Sequence, residues 1–172
     1  MENISLRENV NINIGAYTEK DLPYMIKVWN EIVISGNAFP QEELLDNNTG
    51  STFFAEQTYT AVAKDKNSNT IVGLYILHPN NVGRCGHICN ASYAVSALNR
   101  GQHIGEKLVL DCIHQAKNLG FKILHFNAVV ESNLAARHLY EKLGFIQLGT
   151  IPQGFRMKDG HFENICPYYI IL

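Results

Sequence analysis

The sequence lacks any apolar run long enough to span a bilayer, which argues against an integral membrane protein. It also lacks an excess of charge: 14 lysines and arginines stand against 16 acidic residues, giving a net charge of -2. The basic residues are scattered, so neither a nucleic-acid platform nor a basic lipid-binding face is expected. Any anion site must be local. Cysteine is scarce, with four residues. Only Cys85 and Cys89 lie close together, and a strand through both would put them on one face, a weak basis for a metal pair. As small buried hydrophobes the four cysteines suit a reducing compartment. No apolar export core follows Met1, and the expectation is a cytoplasmic protein forming a single domain over residues 1–172.

What is present is a regular alternation of element types. Val10, Ile12 and Ile14 alternate with polar neighbours and predict an opening strand. Thr18 and Asp21 have cap spacing, and Leu22, Met25, Ile26, Trp29, Ile32 and Val33 then keep a helical period with one apolar face. Gly36 and Pro40 break that helix. Gln41 to Leu45 suggests a second, shorter one, and residues 46–58 carry mixed signals. Thr60 to Ala63, Ile71 to Leu77 and His87 to Val95 read as three strands of an antiparallel meander. A helix from Ile104 to Gly120, a strand from Lys122 to Val129, a helix ending at Gly144 and a strand from Phe145 to Ile151 follow. After an irregular stretch with Pro152 and Gly154, Tyr168 to Leu172 closes the sheet. The pattern implies an α/β (α+β) layered fold: a mixed sheet covered by helices.

The segment Val95 to Leu110 organises the rest. A strand stops, a turn containing Arg100, Gly101 and Gly105 follows, and helical spacing begins at Ile104. Unsatisfied N–H groups at the start of a helix, with an arginine beside them, suit phosphate oxygens. The same features also serve a plain strand-to-helix connection. The pattern is neither the dinucleotide fingerprint nor the nucleotide loop ending in Gly-Lys-Ser/Thr. Further along, Asn133 and Tyr140 are separated by two helical turns and share one face. A tyrosine phenol is a neutral donor at pH 7, able to protonate a leaving group, although packing against the sheet would use it equally well.

Arg100-Gly101-Gln102-His103-Ile104-Gly105 resembles the acyl-CoA loop of the GCN5-related N-acetyltransferase (GNAT) superfamily, Gln/Arg-x-x-Gly-x-Gly/Ala. Asn133 to Phe145, with its Asn, its Tyr and its Leu-Gly-Phe ending, is similar to a second conserved region of that superfamily. The resemblance covers nearly the whole chain. It implies a splayed sheet of six or seven strands with helices on both faces, and acetyl-CoA as cosubstrate. It further implies that Arg100, Gly101 and the N–H groups of Gln102, His103, Ile104 and Gly105 hold the pyrophosphate. Val95 would lie at the splay, where a backbone N–H could stabilise the reaction oxygen. Asn133 would face the pantetheine arm, and Tyr140 would protonate the departing thiolate.

Two positions depart from the superfamily pattern. His103 stands where its first glycine does, and a Cβ there narrows the approach of phosphate if positive φ is required. Cys89 stands where many members of that superfamily carry a glutamate midway along the strand. An acyl-cysteine there would need an activated thiol. Direct attack by a primary amine is simpler, with His87 as the first candidate base, Glu31 the second, Tyr93 as an orienting group and His125 as a further imidazole. The resulting expectation is acetyl transfer to a small-molecule amine. Acetylation of a protein or peptide is the enzymatic alternative, and a non-catalytic acyl-CoA-binding module is the other. A broad acidic groove would favour a protein tail; Phe39, Phe53, Phe155 and Phe162 hint at an enclosed acceptor pocket. A homodimer through the last strand or an exposed helix face is an arrangement that the resemblance allows.

Overall fold

A computed structural model of the chain describes residues 11–172; Val10, placed in the opening strand by its spacing, and the stretch before it lie outside the described residues. Strand β1 spans Ile12–Ala16. Thr18 and Asp21 then close a reciprocal cap, the Asp21 carboxylate accepting from the Thr18 N–H at 2.8 Å and its hydroxyl at 2.9 Å. Helix α1, Leu22–Ser35, ends at Gly36, whose φ of 62° supplies the left-handed cap. Its apolar stripe is the one the spacing predicts: Met25, Ile26, Val28, Trp29, Ile32 and Val33 are all buried.

The next helix lies later than expected. Gln41 to Leu45 is not helical, and α2 is Asn47–Ala55. Asp46 caps it, accepting from the N–H groups of Asn48 and Thr49, while the Thr49 hydroxyl accepts from the Asp46 N–H. Gly50, which reads as a loop residue, is buried because α1 presses on it: a Cβ there would lie 2.7 Å from Ile26 side-chain atoms. Close helix packing, not turn geometry, explains this glycine.

Strands β2 (Tyr59–Asp65), β3 (Ile71–Pro79) and β4 (Ile88–Val95) form the antiparallel meander. Cys85 lies in a short 3-10 turn before β4, not in a strand, so it shares no strand face with Cys89. Then come α3 (Ile104–Asn118), β5 (Ile123–Val130) and α4 (Leu134–Lys142). The C-terminal part differs most from expectation. Phe145 to Ile151 divides into β6 (Ile146–Gln147) and β7 (Ile151–Arg156), and β8 runs from Phe162 to Ile171. Pro152 and Gly154 thus fall within a strand. β7 pairs only with β8 and its register is irregular between Ile151 and Phe155, which accommodates a proline. Gly154 allows β8 to come close, since a Cβ would lie 2.4 Å from Ile165 Cγ1.

The sheet has eight strands, one more than the upper expectation, ordered β1-β2-β3-β4-β5-β8-β6 with β7 on β8. Alternation along each strand builds two cores. Val62, Leu74, Ile76 and Ala94 face α1 and α2, whereas Ala61, Tyr75, Leu77, Cys89 and Ala91 pack in the core that contains α3 residues Leu108 and Cys112. All pairings are antiparallel except β4 with β5, which pair only at Ile88/Ile123 and Cys89/Leu124. Beyond those two pairs the strands part, and the edge of β4 from Asn90 onward has no partner on that side.

Candidate active site

The opening between β4 and β5 holds a cavity of about 280 Å³. Asn90, Ser92 and Tyr93 border it from β4, Phe126 and Asn127 from β5, Gly105 and Val109 from α3, and Asn133, Leu139 and Tyr140 from α4. Four of the sequence-derived site residues, Tyr93, Gly105, Asn133 and Tyr140, therefore meet at one cavity. Asn133 caps α4, its side chain accepting from the Ala136 N–H at 3.3 Å, and its Nδ2 makes no hydrogen bond among the described residues. The Tyr140 ring is fixed by Phe126, Phe145 and Tyr168, with centroids 4.5, 5.5 and 5.9 Å away. Burial, then the neighbouring Cys112 thiol, pushes its phenol well above the ordinary tyrosine range, so the hydroxyl stays protonated. Helix α4 is itself anchored by the Tyr168 hydroxyl, which accepts from Arg137 Nε and donates to Glu141.

At one end of the cavity the turn after β4 delivers the chain to α3. Arg100 is exposed and extended; Gly101 has φ 77°, and His103 is left-handed at φ 58°. The backbone N–H groups of Gln102 to Glu106 make no hydrogen bond among the described residues, which makes this a cradle for an anion at the positive end of a fifteen-residue helix. The Gln102 Oε1 is buried beside it without a partner. Gly105 faces the cavity floor: a Cβ would lie 3.7 Å from Leu139 Cδ2 and 4.0 Å from Val95 Cγ2. Val95 is the last residue of β4, paired with Gly73 on its other edge. Open strand edge, unpaired N–H groups and glycine floor together fit an acyl-CoA: extended backbone for the amide-bearing arm, N–H groups for the diphosphate.

His103 shows why its position favours glycine: the turn demands positive φ, at a cost of about 1 kcal/mol for a residue with a Cβ. Its ring is turned to Glu106 Oε2 at 3.3 Å, and Glu106 also receives Lys142 Nζ at 2.7 Å. These two contacts, Lys142 the larger, hold the Glu106 carboxyl below its ordinary value. His103→Gly should change stability by less than about 1 kcal/mol, because relief of strain is offset by the freer unfolded chain. Isothermal titration with acetyl-CoA should give equal or tighter binding; a tenfold loss would mean that the imidazole itself touches the phosphates.

The base candidates are not brought together. His87 is exposed just ahead of β4, beyond the closed end of the β4/β5 opening, and does not border the cavity. Glu31 accepts the Ala97 N–H at 3.1 Å and ties α1 to the turn. Tyr93 does border the cavity, but burial drives its phenol far up, and its hydroxyl is buried without a hydrogen-bond partner. Cys89 turns away: its thiol donates to the Ile123 carbonyl at 3.2 Å, and burial pushes it up to about 12, which disfavours the thiolate that an acyl-cysteine requires. The strand residue that reaches the cavity is the next one, Asn90.

Asn90 and Asn127 were not singled out in the sequence. The available signal was the pairing of Asn90, a polar residue inside an apolar strand, with the period of two that turns it away from the buried Cys89. Both belong to an amide cluster with Asn80 and His125. His125 is half-buried, burial lowers its pKa, and its Nε2 is buried without a partner. Among the described residues no carboxylate or imidazole borders this cavity.

A second, larger groove of about 840 Å³ joins it, sharing Phe39 and Pro40 as a common wall. Val33, Leu44, Phe155 and Met157 give it an apolar lining, and its charged residues are Glu42, Arg156 and Lys158. Arg156 pairs with Glu42, and Lys158 donates to the Ile34 carbonyl. Of the four phenylalanines picked out above, Phe39 and Phe155 meet here. Phe53 instead packs on Trp29, and Phe162 is exposed outside both cavities.

The profile of the acetyltransferase (GNAT) family matches residues 23–145. The N-acetyltransferase aca1 of Schizosaccharomyces pombe is 28% identical over 180 residues, covering 96% of this chain and 84% of that protein. Among solved structures, a GCN5-related N-acetyltransferase from Kribbella flavida is 28% identical with a TM-score of 0.86, covering 94% of this chain and 98% of that one. A phosphinothricin acetyltransferase from Sinorhizobium meliloti, solved with acetyl-CoA, shares the fold at a TM-score of 0.87 and 19% identity, covering 94% and 88%.

Proposed function

The chain belongs to the acetyltransferase (GNAT) family and uses acetyl-CoA as cosubstrate, and on that premise we propose that its acceptor is the amine of a small molecule. The observation that carries this reading is the site's neutral interior: Asn90, Ser92 and Asn127 border the inner cavity, and among the described residues no carboxylate lines it to hold a cationic chain. The outer groove, with one acidic residue already paired to Arg156, is not the acidic trough that a basic protein tail would require.

In this proposal the acyl-CoA diphosphate lies on the N–H groups of Gln102 to Glu106, with Arg100 beside it, and the pantetheine arm follows the free edge of β4 past Asn133. The acetyl group then sits between the open edge of β4, where Asn90 to Tyr93 border the cavity, and Tyr140. An uncharged amine attacks the carbonyl carbon, a backbone N–H on the open edge of β4 supports the oxygen, and the C–S bond breaks as the Tyr140 hydroxyl protonates the sulfur. The amine's proton leaves through water and restores the phenol. With no carboxylate or imidazole at the cavity among the described residues, the protonation state of the acceptor itself governs the acidic side of the pH profile.

A second reading, acetylation of a peptide, is favoured by the size of the outer groove, which could take several residues of an extended chain. Following thiol release from acetyl-CoA across small amines and short peptides separates the two. Turnover of small amines alone is the expected result; turnover confined to peptides would replace the first reading with the second.

A further inference from the structure

Asn80 sits just after β3, its N–H donating to the Ile88 carbonyl at 2.8 Å, and it does not border either cavity. Its side chain nevertheless touches both strands that flank the opening. Nδ2 donates to His125 Nδ1 at 2.8 Å and to Asn127 Oδ1 at 3.1 Å. Oδ1 accepts from Asn127 Nδ2 at 2.7 Å and from Asn90 Nδ2 at 3.3 Å. All four hydrogen-bonding positions of one amide are therefore used. Because His125 Nδ1 accepts, its imidazole is the neutral form with the proton on Nε2.

The placement matters because the backbone does not hold this region. The ladder between β4 and β5 stops at Cys89/Leu124, so Asn90 on one strand and Asn127 on the other have no main-chain bond connecting them. We propose that Asn80 is a positioning residue: it bridges the mouth of the opening and fixes Asn90 and Asn127 at the separation and orientation at which they meet the acceptor amine. This rests on the placement of the acceptor proposed above. Asn80 uses one lone pair of Asn127 Oδ1 and none of Asn90 Oδ1, leaving acceptor capacity on both for the N–H bonds of an uncharged amine. Loss of the bridge frees two side chains at once, and positional error at an attacking nitrogen is costly.

Two measurements on Asn80→Ala and Asn80→Asp test this. The first needs no acceptor: NMR exchange of the Asn90 and Asn127 side-chain amide protons with water. Both should exchange at least about tenfold faster in Asn80→Ala. In Asn80→Asp, which keeps the oxygen acceptor of both amides and loses only the donor, both should be affected less. The second uses hydroxylamine as a small, uncharged probe amine at saturating acetyl-CoA. Its kcat/KM should fall about tenfold or more in Asn80→Ala, while KM for acetyl-CoA stays within twofold. Wild-type exchange rates in both variants, or a parallel rise in the acetyl-CoA KM, would overturn the role. If the wild-type protein acetylates neither hydroxylamine nor any amine of the panel, the proposed function fails, while the exchange data still decide what Asn80 does.

Discussion

Replacing Tyr140 with phenylalanine should lower kcat roughly a hundred- to a thousand-fold, the range typical of losing a general acid, while KM for acetyl-CoA changes less than about threefold. The substitution removes one oxygen and leaves the ring, so the stack with Phe126, Phe145 and Tyr168 survives and folding is preserved. The pH profile adds a sharper test. The phenol acts in its protonated form, and burial moves its pKa upward, so activity dependent on it is present throughout the neutral range and is lost only above the ordinary value near 10. Wild-type kcat should therefore show no alkaline decline between about pH 7 and 10. Equal turnover in Tyr140→Phe, measured by thiol release, would remove Tyr140 from proton transfer.

Gly105→Leu should separate binding from stability. The first carbon of a side chain at this position meets Leu139 and Val95 at ordinary contact distances. A longer side chain must extend into the cavity, where it would occupy the floor under the acyl arm. Acetyl-CoA affinity should fall at least about 100-fold, equivalent to roughly 2.8 kcal/mol. The folded state, in contrast, should be unchanged or slightly stabilised, since glycine is about 1 kcal/mol poorer than better helix formers within a helix. Calorimetric titration together with thermal unfolding reads both effects. Strong binding in this variant would show that the arm does not pass over α3 at Gly105.

The sequence was most legible where one physical cause dominated. α1 announced itself because the cap at Thr18/Asp21, the apolar stripe and Gly36 all agree. The loop before α3 was legible for the same reason, since glycine, arginine and a change of period coincide. α2 was not, because Gly50 answers to a tertiary contact with Ile26 that no local pattern contains. The division of residues 145–156 was hidden similarly: Pro152 and Gly154 look like breakers until β8 is present to pair beside them. The misplaced cleft residue shows how little separates the readings. Cys89 and Asn90 are neighbours, yet one step along a strand reverses the face, placing a thiol in the core and an amide at the cavity. His87 failed for a geometric reason, since it lies at the end of β4 where β5 is still paired, and distance along a strand does not reveal where two strands part.

Trp29 is the sole tryptophan and is almost wholly buried. Its indole lies 4.3 Å, centroid to centroid, from the Phe39 ring, and Phe39 is part of the wall shared by the inner cavity and the outer groove. The protein thus carries its one indole emitter one ring behind the junction of the two cavities, on the sheet face opposite α3 and α4. Any acceptor that shifts Phe39 alters the surroundings of that indole, and so does an acyl arm that fills the inner cavity, of which Phe39 is part of the wall. Intrinsic fluorescence can therefore report occupancy of that junction without any label.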